Sequence, residues 1–295
     1  MRVRSACGLV LAALVATRPG AAAGVSDLSR NHTSVHTGSA PGVTGIDISQ
    51  NHATAHIALP GDIGLDLDLS FEQCLGLTAE SLGISASLVD PASLSLVQRL
   101  PASTSIPAAF PVKIAIEPPA SGPLAFSGIV SIDLHTHNLA YTAPSPFRFY
   151  AAEAGGSFQD ITSSIGLGSY RTGGSKGGFS EFLVVADARP IDAVIQEKFQ
   201  RLQTKLDAAS SLIPGPVLAS LQAQLSSARN TYLANDALGA ADGVQQFADG
   251  VRQNSGEAIP DVWRSARDVP NVAGDLRGSA ATLKFSLLMK ANGGS

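Results

Sequence analysis

The sequence predicts a mainly β protein with an added α part: an antiparallel β-sandwich, then a three-helix unit, then a C-terminal strand that returns to the sandwich. Three observations carry that expectation. Apolar residues recur at every second position from about residue 43 to 188, at every third or fourth from about 190 to 256, and at every second again near the end of the chain.

In the first stretch, Ile63, Leu65, Leu67, Leu69 and Phe71 alternate with Asp62, Gly64, Asp66, Asp68 and Ser70. Val112, Ile114 and Ile116 keep the same rhythm, as do Val130, Ile132 and Leu134 against Ser131, Asp133 and His135. Successive side chains of an extended chain point to opposite faces, so each run buries one face and wets the other. Turn formers separate the runs, among them Pro118-Pro119, Pro144-Ser145-Pro146 and Gly173-Gly174-Ser175. Many strands at short spacing, with no helical segment between them, predict an antiparallel sandwich over residues 24–189. The mostly apolar run from Phe179 to Ala186 reads as its central strand.

Near residue 190 the spacing becomes helical. Ile191, Val194, Ile195, Phe199, Leu202 and Leu206 share one face behind Pro190, which suits a first helical turn. The break at Ile213-Pro214-Gly215-Pro216 opens a second helix with Leu221, Leu225, Ala228 and Tyr232 on one side. A third follows Asn235-Asp236 and carries Ala240, Val244, Phe247 and Val251. These make the three-helix unit of residues 190–256. Residues 257–295 form a connector and a terminal strand, in which Ala281, Leu283, Phe285, Leu287 and Met289 alternate with polar neighbours. A lone strand leaves its backbone groups unpaired, so it is expected to join the earlier sheet. An echo between residues 29–36 and 49–56, each ending in a His-x-x-x-His spacing, predicts a pair of related edge strands.

Residues 1–23 carry the order of a secretory signal: Arg2 and Arg4, an apolar run from Ala6 to Ala16, then Pro19, Gly20 and three alanines. A bilayer span needs roughly 20 apolar residues, so cleavage fits better than retention and no transmembrane span is expected afterwards. The expected location is secreted or periplasmic. Removing Arg2, Arg4 and Arg18 takes the formal charge from −4 to −7. A chain of that sign has no pull toward phosphate backbones, which excludes nucleic acid as a partner. With 44% hydrophobic and 15% charged residues the chain has the material for a packed core. Only Cys74 remains after cleavage, so no internal disulfide forms, and it reads as a buried thiol acting as a small hydrophobe.

The candidate chemistry gathers on histidines. His32 with His36, His52 with His56, and His135 with His137 are spaced to share strand faces. The last pair is the sharpest, because Asp133 joins it opposite Val130, Ile132 and Leu134. Asp133, His135 and His137 are therefore the candidate ligands for a divalent metal, since two imidazoles and a carboxylate suit zinc or another borderline ion. The bland reading is a solvated polar sheet face, and no other cofactor is implied. Gly173-Gly174-Ser175-Lys176-Gly177 satisfies G-x-S-x-G, but a catalytic serine needs a strand-to-helix elbow and this segment leads into another strand. A glycine-rich hairpin loop is the expectation there. Asp133 with Glu153, Asp160 or Glu181 would serve hydrolysis only at the right separation. Trp263 reads as a buried cap on the core. Asn31-His32-Thr33 is a glycosylation sequon in a eukaryotic secretory setting.

Several segments together resemble a family of uncharacterised secreted bacterial proteins: Leu134-His135-Thr136-His137-Asn138-Leu139, Gly166-Leu167-Gly168-Ser169-Tyr170-Arg171, Gly177-Gly178-Phe179-Ser180-Glu181-Phe182, Ile259-Pro260-Asp261-Val262-Trp263-Arg264 and Asn271-Val272-Ala273-Gly274. The resemblance covers nearly the whole mature chain and implies export from a bacterium, with no activity attached. Leu221, Leu225, Ala228, Tyr232, Asp236, Val244 and Phe247 also resemble helical modules at the C-terminal ends of bacterial exported and cell-surface proteins. The expected function is a non-catalytic binding or structural role in the bacterial envelope or extracellular space, with a protein or glycan partner. The alternative is a metal-assisted or carboxylate-based hydrolase acting outside the cytoplasm.

Overall fold

A computed structural model describes residues 33–35 and 40–293. The alternating stretch forms β1 (Thr33–Val35), β2 (Val43–Ser49), β3 (His52–Leu59) and β4 (Ile63–Leu75), then a one-turn helix α1 (Ala79–Leu82) and β5 (Ile84–Leu88). A second short helix α2 (Leu94–Val97) precedes β6 (Thr104–Ser105), β7 (Val112–Ile116), β8 (Ala125–Ala140) and β9 (Phe147–Ala152). The stretch closes with β10 (Gln159–Asp160), β11 (Thr162–Gly166), β12 (Ser169–Lys176) and β13 (Glu181–Asp187). Helices α3 (Ile191–Ala208), α4 (Gly215–Leu233) and α5 (Ala237–Gln253) follow, then β14 (Val262–Arg264) and α6 (Val272–Ala291).

The strands make two antiparallel sheets. The first runs β1-β2-β3-β4-β8-β12-β11 with β14 also beside β8, and the second runs β10-β9-β13-β7-β5 with β6 beside β13. Leu65, Leu67 and Leu69 of β4 and Val130, Ile132 and Leu134 of β8 meet Ile114, Ile116, Phe182 and Val184 of the second sheet in one buried cluster. The apolar half of each alternation therefore faces inward, where each fully buried large side chain contributes roughly 1.5–3 kcal/mol. Phe182 to Val185 of β13 are all apolar because that stretch is buried on both faces. Leu183 and Val185 point away from the sandwich into a separate cluster with Leu96, Ile106, Tyr150 and Phe158.

The three predicted helices form where the spacing places them, α3 to α5. Ile195, Phe199 and Leu202 pack with Leu221, Leu225, Val244 and Phe247. Asp236 caps α5 by accepting from the Gly239 N–H, and the left-handed Asn235 before it turns the chain (φ 65°).

The expected terminal strand over residues 281–290 is instead the second half of α6. The segment does return to the sandwich, but as a helix lying against β8, β11 and β12. Its small residues at four-residue intervals, Gly274, Gly278, Thr282 and Ser286, let it sit close. A Cβ on Gly274 would lie 2.5 Å from the Gly128 carbonyl oxygen, and one on Gly278 would lie 2.3 Å from that of Ser175. Leu276, Leu283 and Leu287 join the helical cluster. A helix buried on more than one side loses its single apolar stripe, and the leftover pattern here mimics alternation. The strand that joins the sheet from this region is β14, paired to β8 through Trp263 and Phe126.

The glycine-rich segment is also different from expectation. Gly173, Gly174 and Ser175 lie inside β12, and the crossing to the second sheet comes after Lys176. A Cβ would lie 2.3 Å from Asp133 Oδ1 at Gly173 and 2.6 Å from Ile161 Cδ1 at Gly174, so glycine serves close packing rather than a turn. Of the echoed segments, residues 33–35 form the terminal strand of the first sheet, whereas β3 is interior, between β2 and β4. His32 and His36, and with them residues 1–23 and the sequon's Asn31, lie outside the described residues.

Candidate functional site

The outer face of the first sheet divides in two. One end is covered by α6, anchored where the Arg277 guanidinium donates to both oxygens of Glu72 on β4, at 2.6 and 2.8 Å. The other end carries carboxylates and imidazoles on β2, β3, β4 and β8. Register explains their meeting: His56 of β3 sits opposite Asp66 of β4, Asp66 sits opposite His135 of β8, and Asp68 sits between Thr54 and Asp133. Directly opposite residues of neighbouring strands have side chains close enough to interact, so a lattice of pairs follows from the alternation itself.

The contacts fall in two linked sets. His56 Nδ1 lies 2.8 Å from Asp66 Oδ1, and its Nε2 lies 3.1 Å from Asp47 Oδ2 on β2. His137 Nε2 lies 2.9 Å from Asp66 Oδ2, and His135 Nδ1 lies 3.8 Å from the same oxygen. His135 Nε2 is 2.7 Å from Ser169 Oγ at the start of β12. Thr54 donates to Asp68 Oδ1 at 2.6 Å, with His52 Nε2 3.5 Å from that atom.

The charges follow. Hydrogen bonds to Asp66 and Asp47 raise the His56 pKa. Partial burial opposes ionisation of Asp66, yet hydrogen bonds to His137 and His56 outweigh it and hold the carboxyl below its usual range. Burial, helped by Arg171, lowers the His135 pKa and favours the neutral ring. Burial and the nearby Asp68 raise that of Asp133.

The structure brings together His135 and His137, whose ring centroids are 5.3 Å apart. Their carboxylate companion is Asp66, because Asp133 lies over Gly173, toward Ser164. The sequence showed Asp66 on a wet face but gave no means of knowing that β4 neighbours β8. The other acids go elsewhere. Asp160 is buried in an ion pair with Lys198 at 2.5 Å, and Glu181 is paired to Arg99 and to Lys113. Cys74 is partly buried, its thiol pKa pushed up by burial. Trp263 caps the core as expected, stacked on Phe126 at 5.3 Å with Phe179 edge-on at 5.0 Å.

A cleft of about 620 Å³ opens between the sheet crossing and the start of α6, with Lys176, Ser180, Trp263, Arg267 and Asp275 among its lining. Lys176 donates to Ser180 Oγ. Burial lowers its pKa to about 8, and no carboxylate among the described residues lies within ion-pair distance of it.

These features define a two-sheet α/β protein whose helices cover one end of a sheet and leave a lattice of aspartates and histidines bare at the other. The chain belongs to DUF6689, a family of unknown function, which it matches over residues 30–291. No curated protein matches it.

Proposed function

We propose that the protein is an exported, non-catalytic binding module of the bacterial envelope or extracellular space, and that the bare Asp/His face recognises its protein or glycan partner. The observation that carries this reading is the shape of the face. Its polar groups spread over adjacent strands, whereas clefts of about 620, 400 and 380 Å³ open elsewhere and draw on none of them. Sites that enclose a small substrate are concave, while a broad polar face suits a second surface. The hydrolase alternative would need a pocket at Asp133, His135 and His137. Export is supported by the signal-like order of residues 1–23.

Capture from an envelope fraction tests this reading. The purified protein should retain a partner that a His56→Ala/His137→Ala variant loses and an Arg267→Ala variant, altered in the cleft, keeps. Capture that depends on Arg267 and ignores the two histidines would reject the face as the recognition surface.

A further inference from the structure

Within the bare face three ligand-type atoms converge. Asp66 Oδ2 lies 2.9 Å from His137 Nε2 and 3.8 Å from His135 Nδ1. One such atom from each residue lies within 4.8 Å of the other two. A tetrahedral zinc ion with bonds of about 2.0–2.2 Å holds its ligand atoms roughly 3.4 Å apart, a value the two short separations bracket.

The atoms behind two of the three are engaged as well. His135 keeps Nδ1 toward Asp66 because its Nε2 is held 2.7 Å from Ser169 Oγ. The second oxygen of Asp66 is held 2.8 Å from His56 Nδ1, and His56 is itself held 3.1 Å from Asp47. Outer partners of this kind fix the ring orientation and basicity of a ligand. His137 has a different support. Its ring lies over Gly64, where a Cβ would come within 2.7 Å of Nδ1. The Gly64 N–H donates to Asn138 Oδ1 at 3.0 Å, which ties the backbone of β4 to the residue after His137.

We propose that Asp66, His135 and His137 bind one borderline divalent cation, of which zinc is the best match to two imidazoles and a carboxylate. Three protein ligands leave a coordination position open to water or to a donor group of the partner. The inference deepens the recognition reading and rests on it for the use of that open position.

Cobalt titration of the purified, metal-free chain, followed by visible absorption and paired with zinc calorimetry, tests the site. One equivalent should bind. His135→Ala, His137→Ala and Asp66→Asn should each weaken binding at least tenfold, and Ser169→Ala about tenfold through loss of the outer partner. Asp133→Asn should leave it unchanged, and unchanged circular dichroism would show that each variant is folded. No stoichiometric uptake, uptake that survives His137→Ala and Asp66→Asn, or equal loss in Asp133→Asn would overturn the proposal. Capture of the partner in chelator separates the two claims. Capture that depends on the face without cobalt uptake removes the cation and keeps the recognition surface. Cobalt uptake with capture indifferent to the face removes the recognition surface and keeps the cation site.

Discussion

Two lysines, Lys198 in the core and the half-buried Lys176 in the cleft wall, show how neighbours decide what a charge costs. Lys198 lies against Asp160 at 2.5 Å and also donates to Thr282 Oγ1 and Ser286 Oγ, so its ammonium is satisfied. Asp160 is held ionised by Lys198 against the cost of its burial. Lys198→Met would leave that carboxylate buried without its counter-charge, and denaturant unfolding should show a loss of about 3–5 kcal/mol. Among the described residues, the Lys176 ammonium donates to the Ser180 hydroxyl alone. Burial takes its pKa from the ordinary 10.5 to about 8, so between those values the unfolded chain binds more protons than the folded one. Stability from this residue should therefore rise as pH climbs from about 8 to 10.5, with the full penalty present below that window. Lys176→Met should gain about 1–3 kcal/mol at pH 7 and flatten this part of the urea-unfolding profile, the reverse of Lys198→Met. Neither role was legible in the sequence. A lysine on a helix or strand reads as a wet position until its neighbours are known, and the same blindness hid Asp66 behind Asp133.

The secondary-structure elements divide by how many faces they bury. Runs with one buried face, such as Ile63 to Phe71 and the stripes of α3 and α5, were legible because their period survives in the sequence. Helix α6 was not, since Gly274, Gly278, Thr282 and Ser286 line one side while Leu276, Leu283 and Leu287 pack with the other helices. Its start did leave a signal: Asn271 accepts from the Gly274 N–H and donates to the Gly128 carbonyl at 2.7 Å, an N-cap that also pins the helix to the sheet. The close approach makes a sharp prediction. Gly278→Ala places a methyl 2.3 Å from a backbone oxygen that cannot rotate away, and should cost about 1–3 kcal/mol in thermal or urea unfolding. Gly155→Ala is the useful contrast in space, since nothing lies within 4 Å of its Cβ, although its φ of 76° adds local strain.

Across the described residues, the sandwich and the helices make one compact unit. Lys198 of α3 reaches Asp160 of β10 and Thr282 of α6, so this buried group, together with the Asn271–Gly128 contact, ties the sheets to the helical cluster. Residues 24–189 expressed without the helices would leave Asp160 unpaired and the α6 side of β12 uncovered. That fragment should show no cooperative unfolding transition, whereas the full chain should. The change of rhythm near residue 190 located the helices, but strand order did not follow from it. Which strands touch depends on chain paths that alternation does not encode, and the bare face exists only because β2, β3, β4 and β8 lie side by side. Its role can be read directly by photo-crosslinking from a reactive residue placed at His52 on that face or at Arg267 in the cleft, in the presence of the envelope fraction. Partner adducts should form from position 52 and not from 267, while adducts from 267 alone would contradict the assignment of the working surface.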